Sequence, residues 1–256
     1  MTAQERPHLS YSQINAYLDC PLRYKFNYVD KIEPAFTSAA LAFGSCIHEA
    51  VGAFYQSCLE NDPLSTGQMH DVYRQIWNST AKEKTIRFFN GESVEVMDTK
   101  AKKMLDVFLQ SFDPSVQIIG IEEPFEVDMG KRMPPLVGWI DAVELAADGT
   151  VSVVDLKTAS KRYSDNTVHS NLQLTCYSIG ALTLGFNGDT RLRLDVLLKT
   201  ASPELVRYET TRTDAHRERF LKLVKHVYQG IKKEVFYPKQ DWHCSQCPFT
   251  AQCEDW

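Results

Sequence analysis

Apolar residues recur at helical spacing through the first hundred or so positions and at strand spacing after them. Ser10 with Gln13 three residues on has the form of a capping box, so a helix is expected from Tyr11 toward Cys20, and Pro21 suits the start of a second short turn. Leu41 to Glu60 is a longer helical pattern, ended by "NDPLSTG", and amphipathic helices fit Gln68 to Glu83 and Val94 to Phe112. From Val116 the chain turns β-branched and alternating: strands over Val116 to Val127 and Leu136 to Leu145, a turn at "ADG", and a strand over Val151 to Lys157. A helix from about Asn166 to Leu184 follows, then strands Arg191 to Leu198 and Leu205 to Thr210, a helix from about Asp214 to Lys233, and a cysteine-rich tail. There is no internal repeat and no low-complexity stretch. This order predicts an α/β fold, a mixed sheet flanked by helices in one domain over 1–256: a mainly helical portion (1–115), a core (116–210), and a C-terminal helix with the tail (211–256).

Composition narrows the class. At 256 residues the chain can bury a full core. The most apolar stretch, "SAALAFGSCIHEAVGAFY", carries His48 and Glu49 in its middle, so no membrane span is expected and the location is read as cytoplasmic. A net charge of -5 argues against a protein that coats nucleic acid, though not against a nuclease. Most basic runs, such as Lys100, Lys102 and Lys103, read as solvated helix faces; the run at Lys157, Lys161 and Arg162 is the exception.

The cysteines add a second theme. "CSQCPFTAQC" supplies Cys244, Cys247 and Cys253, and three ligands call for a fourth. Cys20 stands before Pro21 in "LDCPLRY", a small copy of the "QCPF" context, whereas Cys46, Cys58 and Cys176 lie in apolar helical patterns and read as core. The odd count and the lack of a signal peptide favour a reduced setting over a disulfide framework. Such a thiolate set suits zinc or an iron-sulfur cluster, and spacing does not separate the two. Closing nearly the whole chain into one loop would stabilise the fold by roughly 5 kcal/mol, by analogy with disulfide closure.

The chemistry is expected in "GWIDAVELAADGTVSVVDLK". Asp155 and Lys157, two apart on one strand, share a face. A two-residue Asp148-Gly149 loop would send Asp141 and Asp155 to opposite faces, whereas a three-residue loop, Ala147 to Gly149 with Gly149 left-handed, pairs them; the site requires the second. Two carboxylates about 5 Å apart repel by roughly 3 kcal/mol at an effective dielectric near 20. A divalent cation removes that repulsion; Mg²⁺ or Mn²⁺ prefers such oxygen ligands and keeps water for attack on a phosphodiester. Lys157 would orient the water or stabilise charge on the phosphate oxygens.

These residues carry a resemblance. The hairpin looks like the core of the PD-(D/E)XK nuclease superfamily in its RecB-like form, where a "G-x-x-D" strand, here Gly138 to Asp141, precedes a "D-x-K" strand, here Asp155 to Lys157. The resemblance implies a restriction-endonuclease-like core and a metal site of His48, Asp141 and Asp155, with His48 supplied by the "G-x-x-x-H" of "FGSCIHEA". It also implies that Gln173 and Tyr177, on one helical face as "Q-x-x-x-Y", hold DNA or position the site. Ile140 stands where the superfamily's name has proline, and the helical N-terminal portion exceeds the minimal nuclease.

One N-terminal and three C-terminal thiols around such a core resemble the iron-sulfur nucleases, the AddB nuclease domain and the CRISPR-associated RecB-like exonucleases. That likeness implies a 4Fe-4S cluster on Cys20, Cys244, Cys247 and Cys253. It further implies a Mg²⁺- or Mn²⁺-dependent exonuclease acting on single-stranded DNA or free ends in recombination, repair or CRISPR adaptation, with helicase or integration proteins as partners. Aromatic and basic side chains near the site would grip the strand. The rival expectations are a catalytically inactive DNA-binding scaffold for a helicase or integrase and, more distantly, a zinc-stapled interaction domain.

Overall fold

A computed structural model describes residues 7–89, 91–186 and 190–256. Its N-terminal third is helical: β1 (Leu9–Ser10), α1 (Tyr11–Asp19), α2 (Pro21–Tyr24), a π-turn (Lys25–Val29), β2 (Thr37–Ser38), α3 (Ala39–Leu59), α4 (Thr66–Glu83), β3 (Ile86–Arg87) and α5 (Val94–Ser111). Side chains close the starts of these helices as the sequence suggests. Ser10 accepts the Gln13 N–H (3.2 Å), and Ser65 and Gln68 form a full capping box that starts α4 two residues before the expected Gln68.

The second half builds β4 (Gln117–Val127), β5 (Leu136–Leu145), β6 (Val151–Ala159), α6 (Asp165–His169), α7 (Leu172–Thr183), β7 (Arg191–Leu198), β8 (Leu205–Thr210), α8 (Asp214–Lys232), a 3-10 turn (Trp242–Gln246) and α9 (Thr250–Glu254). Six strands form one mixed sheet in the order β1-β5-β6-β7-β8, with β4 on the other edge of β5. Only β1–β5 and β6–β7 within it are parallel. The expected mixed sheet flanked by helices is what is observed, with Phe43, Ile47, Phe54, Tyr73 and Phe108 of α3, α4 and α5 packed on one side and Leu174, Ile179, Phe220 and Val224 of α7 and α8 on the other. Each buried side chain of this size contributes roughly 1.5–3 kcal/mol.

The single helix expected from Asn166 to Leu184 is instead two. Asn171 breaks it by accepting the Leu174 N–H (2.9 Å) and so starts α7 afresh. The carbonyls freed by the break are taken by the buried Arg212 guanidinium, which donates to Val168 O (3.0 Å) and Asn171 O (3.1 Å). The short strands β1, β2 and β3 were not expected either; two residues give no alternation to read.

Segments distant in sequence meet at one corner. Tyr17 of α1 donates to Val235 O (2.8 Å), the Leu22 N–H to Tyr237 O (3.1 Å), Lys239 Nζ to Leu18 O (3.2 Å) and the Ala35 N–H to Pro248 O (3.3 Å). Leu22, Phe26 and Phe249 form a small separate core there.

Candidate active site

The hairpin between β5 and β6 sets the geometry. Ala146 and Thr150 close a three-residue loop, Gly149 is left-handed (φ 85°), and the ladder runs from Leu145↔Val151 to Ala142↔Val154. One further step sets Asp141 level with Asp155, the register that the site requires. The ladder stops at that step. Past Ala142 the near edge of β5 is left to β1, whose Leu9 pairs with Leu136 and Ser10 with Val137, and the Asp141 side chain fills the gap by accepting the Leu156 N–H at Oδ2 (3.0 Å).

Asp141 is held from three directions. Its Oδ2 also lies 2.8 Å from His48 Nε2 on α3, and its Oδ1 accepts the Tyr177 hydroxyl of α7 (2.8 Å). Gln173 Nε2 donates in turn to the Tyr177 oxygen (3.0 Å), so the Gln173–Tyr177 pair points inward and orients Asp141. Burial pushes the Asp141 carboxyl up, but the His48 bond, with the charges of His48 and Lys157, outweighs it and holds the group below the ordinary carboxylate range. Burial and the neighbouring carboxylates keep Tyr177 protonated, a permanent donor.

Asp155 is fully buried. Lys157 Nζ donates to its Oδ1 (2.7 Å), while Oδ2 has no partner, one of two such orphaned side-chain atoms among the described residues. Burial, offset only in part by Lys157, pushes this carboxyl up to about 6. Burial works against the Lys157 ammonium as well, yet the charges of Asp155 and Asp141 prevail and hold its pKa above the ordinary lysine value.

Glu122 of β4 joins the site and was missed in the sequence. Its Oε1 lies 3.8 Å from His48 Nδ1, and His48, Glu122 and Asp141 offer ligand atoms that all fall within 4.8 Å of one another. Asp155 is outside that triplet. Glu122 lies between the pairs Ile121↔Ala142 and Glu123↔Ile140, at φ 47°, a strained conformation for a residue with a Cβ. Alternation along a strand does not foresee that kink; the register shift between Ile118 and Gly120 just before it is visible only in the structure.

Close packing explains the glycine three residues before Asp141, Gly138. The Phe125 ring lies over Gly138 and under Gly180 of α7; a Cβ at Gly138 would stand 2.5 Å from Phe125 Cζ, and one at Gly180 would stand 2.5 Å from its Cδ1. Without those methyls α7 comes close enough for Tyr177 to stack edge-on against Phe125 (6.4 Å) and reach Asp141.

At the corner where distant segments meet, Cys20 sits between α1 and α2, Cys244 in the 3-10 turn, Cys247 just after it and Cys253 in α9. Cys20, Cys244 and Cys247 line one cleft with Asp19, Arg23 and His243; Cys20, Cys247 and Cys253 pack around Phe26 and Phe249. Burial, then the nearness of Cys20, Cys247 and Cys244, pushes the Cys253 thiol up. No disulfide joins any of the seven cysteines; of the three expected in the core, Cys46 and Cys176 are buried and Cys58 is half-buried.

A family model described as the PD-(D/E)XK nuclease superfamily matches residues 8–254. The chain belongs to that superfamily. In this member, the G-x-x-D and D-x-K segments are the two strands that part at the Asp141 gap. The Gene 69 protein of Mycobacterium phage D29 is 26% identical over 279 residues, covering 99% of this chain and 98% of the phage protein. A crystal structure of a candidate exonuclease from Eubacterium rectale aligns with a TM-score of 0.59 at 11% identity, over 97% of this chain and 87% of that one, a likeness of fold. Among the described residues no helix is long and apolar enough to cross a membrane.

Proposed function

We propose that this nuclease-superfamily chain is a Mg²⁺- or Mn²⁺-dependent deoxyribonuclease that hydrolyses DNA from its ends. The observation that carries the reading is the orphaned Asp155 Oδ2, a fully buried carboxylate oxygen with no partner, beside the His48, Glu122 and Asp141 triplet. The donor set fits the cation: hard carboxylate oxygens with one imidazole suit Mg²⁺ or Mn²⁺, and a positive charge among the carboxylates removes their repulsion. His48, Asp141 and Asp155 would hold the ion, with Glu122 as a further ligand. When bound, it supplies Lewis-acid polarisation of the phosphodiester. The protein's own groups do the rest. Lys157, fixed by Asp155 (2.7 Å), orients the attacking water and stabilises charge on the phosphate oxygens. Tyr177 and Gln173 keep Asp141 aimed. The deoxyribose preference, the exonuclease mode, and a role in recombination, repair or CRISPR adaptation beside a helicase or integration partner come from the resemblance of the ordered motifs; the Eubacterium rectale neighbour's exonuclease designation is in keeping with the mode.

The same proposal assigns a 4Fe-4S cluster to Cys20, Cys244, Cys247 and Cys253. What supports it is the convergence of four soft thiol donors from both arms of the chain. Its role is structural. Anaerobically purified protein is expected to be brown and to contain iron and sulfide; colourless protein with stoichiometric zinc would replace the cluster with a zinc staple.

The test of the nuclease reading is a time course on end-labelled single- and double-stranded DNA with each metal. Wild type is expected to shorten the labelled strand, and Asp155→Ala and Lys157→Ala to abolish that while remaining folded. Unchanged cleavage by both variants would reject the site, and DNA binding without cleavage by wild type would make the chain an inactive scaffold.

A further inference from the structure

A cleft of about 460 Å³ opens beside the candidate active site, between α3 and the carboxyl ends of the parallel strands β6 and β7. Its lining includes Leu41, Gly44, His48 and one carboxylate, Glu49, on α3, Lys157 on β6 and, beyond the end of β7, Lys199. Open α/β sheets bind ligands at the carboxyl ends of their parallel strands, and the volume lies within the roughly 300–1,000 Å³ of typical ligand sites. Lys199 is fixed there because its N–H donates to Ala159 O (2.7 Å), two residues past Lys157. Lys199 is half-buried, and among the described residues it makes no ion pair. Burial, only partly relieved by Glu92 at longer range, pulls its pKa below the ordinary lysine value. A cation that has given up hydration without gaining an anion is complementary to an anionic ligand in the cleft.

We propose that Lys199 binds a phosphate of the DNA strand adjacent to the scissile one, so that the cleft along α3 is the path by which the strand reaches Lys157. This rests on the nuclease reading above. Lys199 is a positioning residue; it steers and holds the strand while Lys157 and the carboxylates act on the phosphodiester.

The test measures cleavage of a labelled oligonucleotide and its binding in Ca²⁺ over a range of salt. Lys199→Gln is expected to raise KM about tenfold with a much smaller change in kcat, and to reduce the slope of log Kd against log salt by about one. Lys199→Arg should restore both. Leu41→Glu, at a position 64% exposed and therefore safe for folding, places a like charge in the same cleft and should also raise KM. If wild type cleaves DNA while KM and the salt slope are unchanged in Lys199→Gln and Leu41→Glu, the strand path is wrong and the nuclease reading stands. If wild type does not cleave, the nuclease reading fails and takes this proposal with it.

Discussion

Tyr177 donates its hydroxyl to Asp141 Oδ1 across 2.8 Å, from a helix to a strand 36 residues earlier in the chain. The bond leaves Asp141 Oδ2 to His48 and the Leu156 N–H, so each oxygen of that carboxylate has a fixed direction. Tyr177→Phe removes the donor and keeps the ring. Supporting partners of this kind change metal affinity or activity by about 10–100-fold, so the Mn²⁺ concentration for half-maximal cleavage should rise by about that factor. An unchanged metal titration would show that Tyr177 serves packing alone.

Phe125, clamped between Gly138 and Gly180, sets how closely α7 approaches β5. Gly180→Ala drives a methyl into the ring and should destabilise the protein by about 1–3 kcal/mol in urea unfolding while weakening cleavage. Adding Phe125→Leu should restore part of the stability. If the double variant is no better than the single one, the ring is not what limits the approach.

Asp155 makes the metal-free protein sensitive to pH. Its folded pKa is raised from 3.8 to about 6, so between those values the folded state holds a proton that the unfolded chain has released. The protein therefore loses stability as pH rises through that window, by up to about 3 kcal/mol for this group. In EDTA, the stability of Asp155→Asn relative to wild type should improve from about pH 4 to about pH 7, because the variant lacks this titration. A difference that stays flat with pH would mean the group is charged throughout. Mg²⁺ should stabilise wild type at the upper end and have little effect on the variant.

Cys20→Ala should cost the fold far more than Cys58→Ala, which removes a half-buried thiol outside the corner. Loss of a staple across nearly the whole chain is worth up to about 5 kcal/mol, read as a large drop in Tm together with lost iron. Equal melting points for the two variants would show that no inorganic centre closes the loop.

The hairpin at the centre of the site was legible because its geometry is local: Gly149 in the turn decides the register, and the register decides where Asp141 stands. The strands β4 to β8 followed from the alternation of their residues, but their order in the sheet did not. Where the reading went astray, the deciding partner was remote. The α6–α7 break depends on Arg212, 41 residues from Asn171, taking the carbonyls that the break exposes, and no local pattern announces that. Glu122 enters the site through a backbone kink that its side chain does not favour. Lys199 has no motif around it, and only the pairing of β7 with β6 brings it to the cleft.

The bonds from Tyr17, Leu22, Lys239 and Ala35 carry a consequence for biosynthesis. A chain growing on the ribosome makes α1 and α2 early, yet their partners Val235 and Lys239 follow 218 and 221 residues after Tyr17 and Leu18. Until those partners are made, α1 and α2 lack the bonds that fix them at this corner. A product that stops short of those partners would leave α1 and α2 without these bonds, and limited proteolysis is expected to cut it there first.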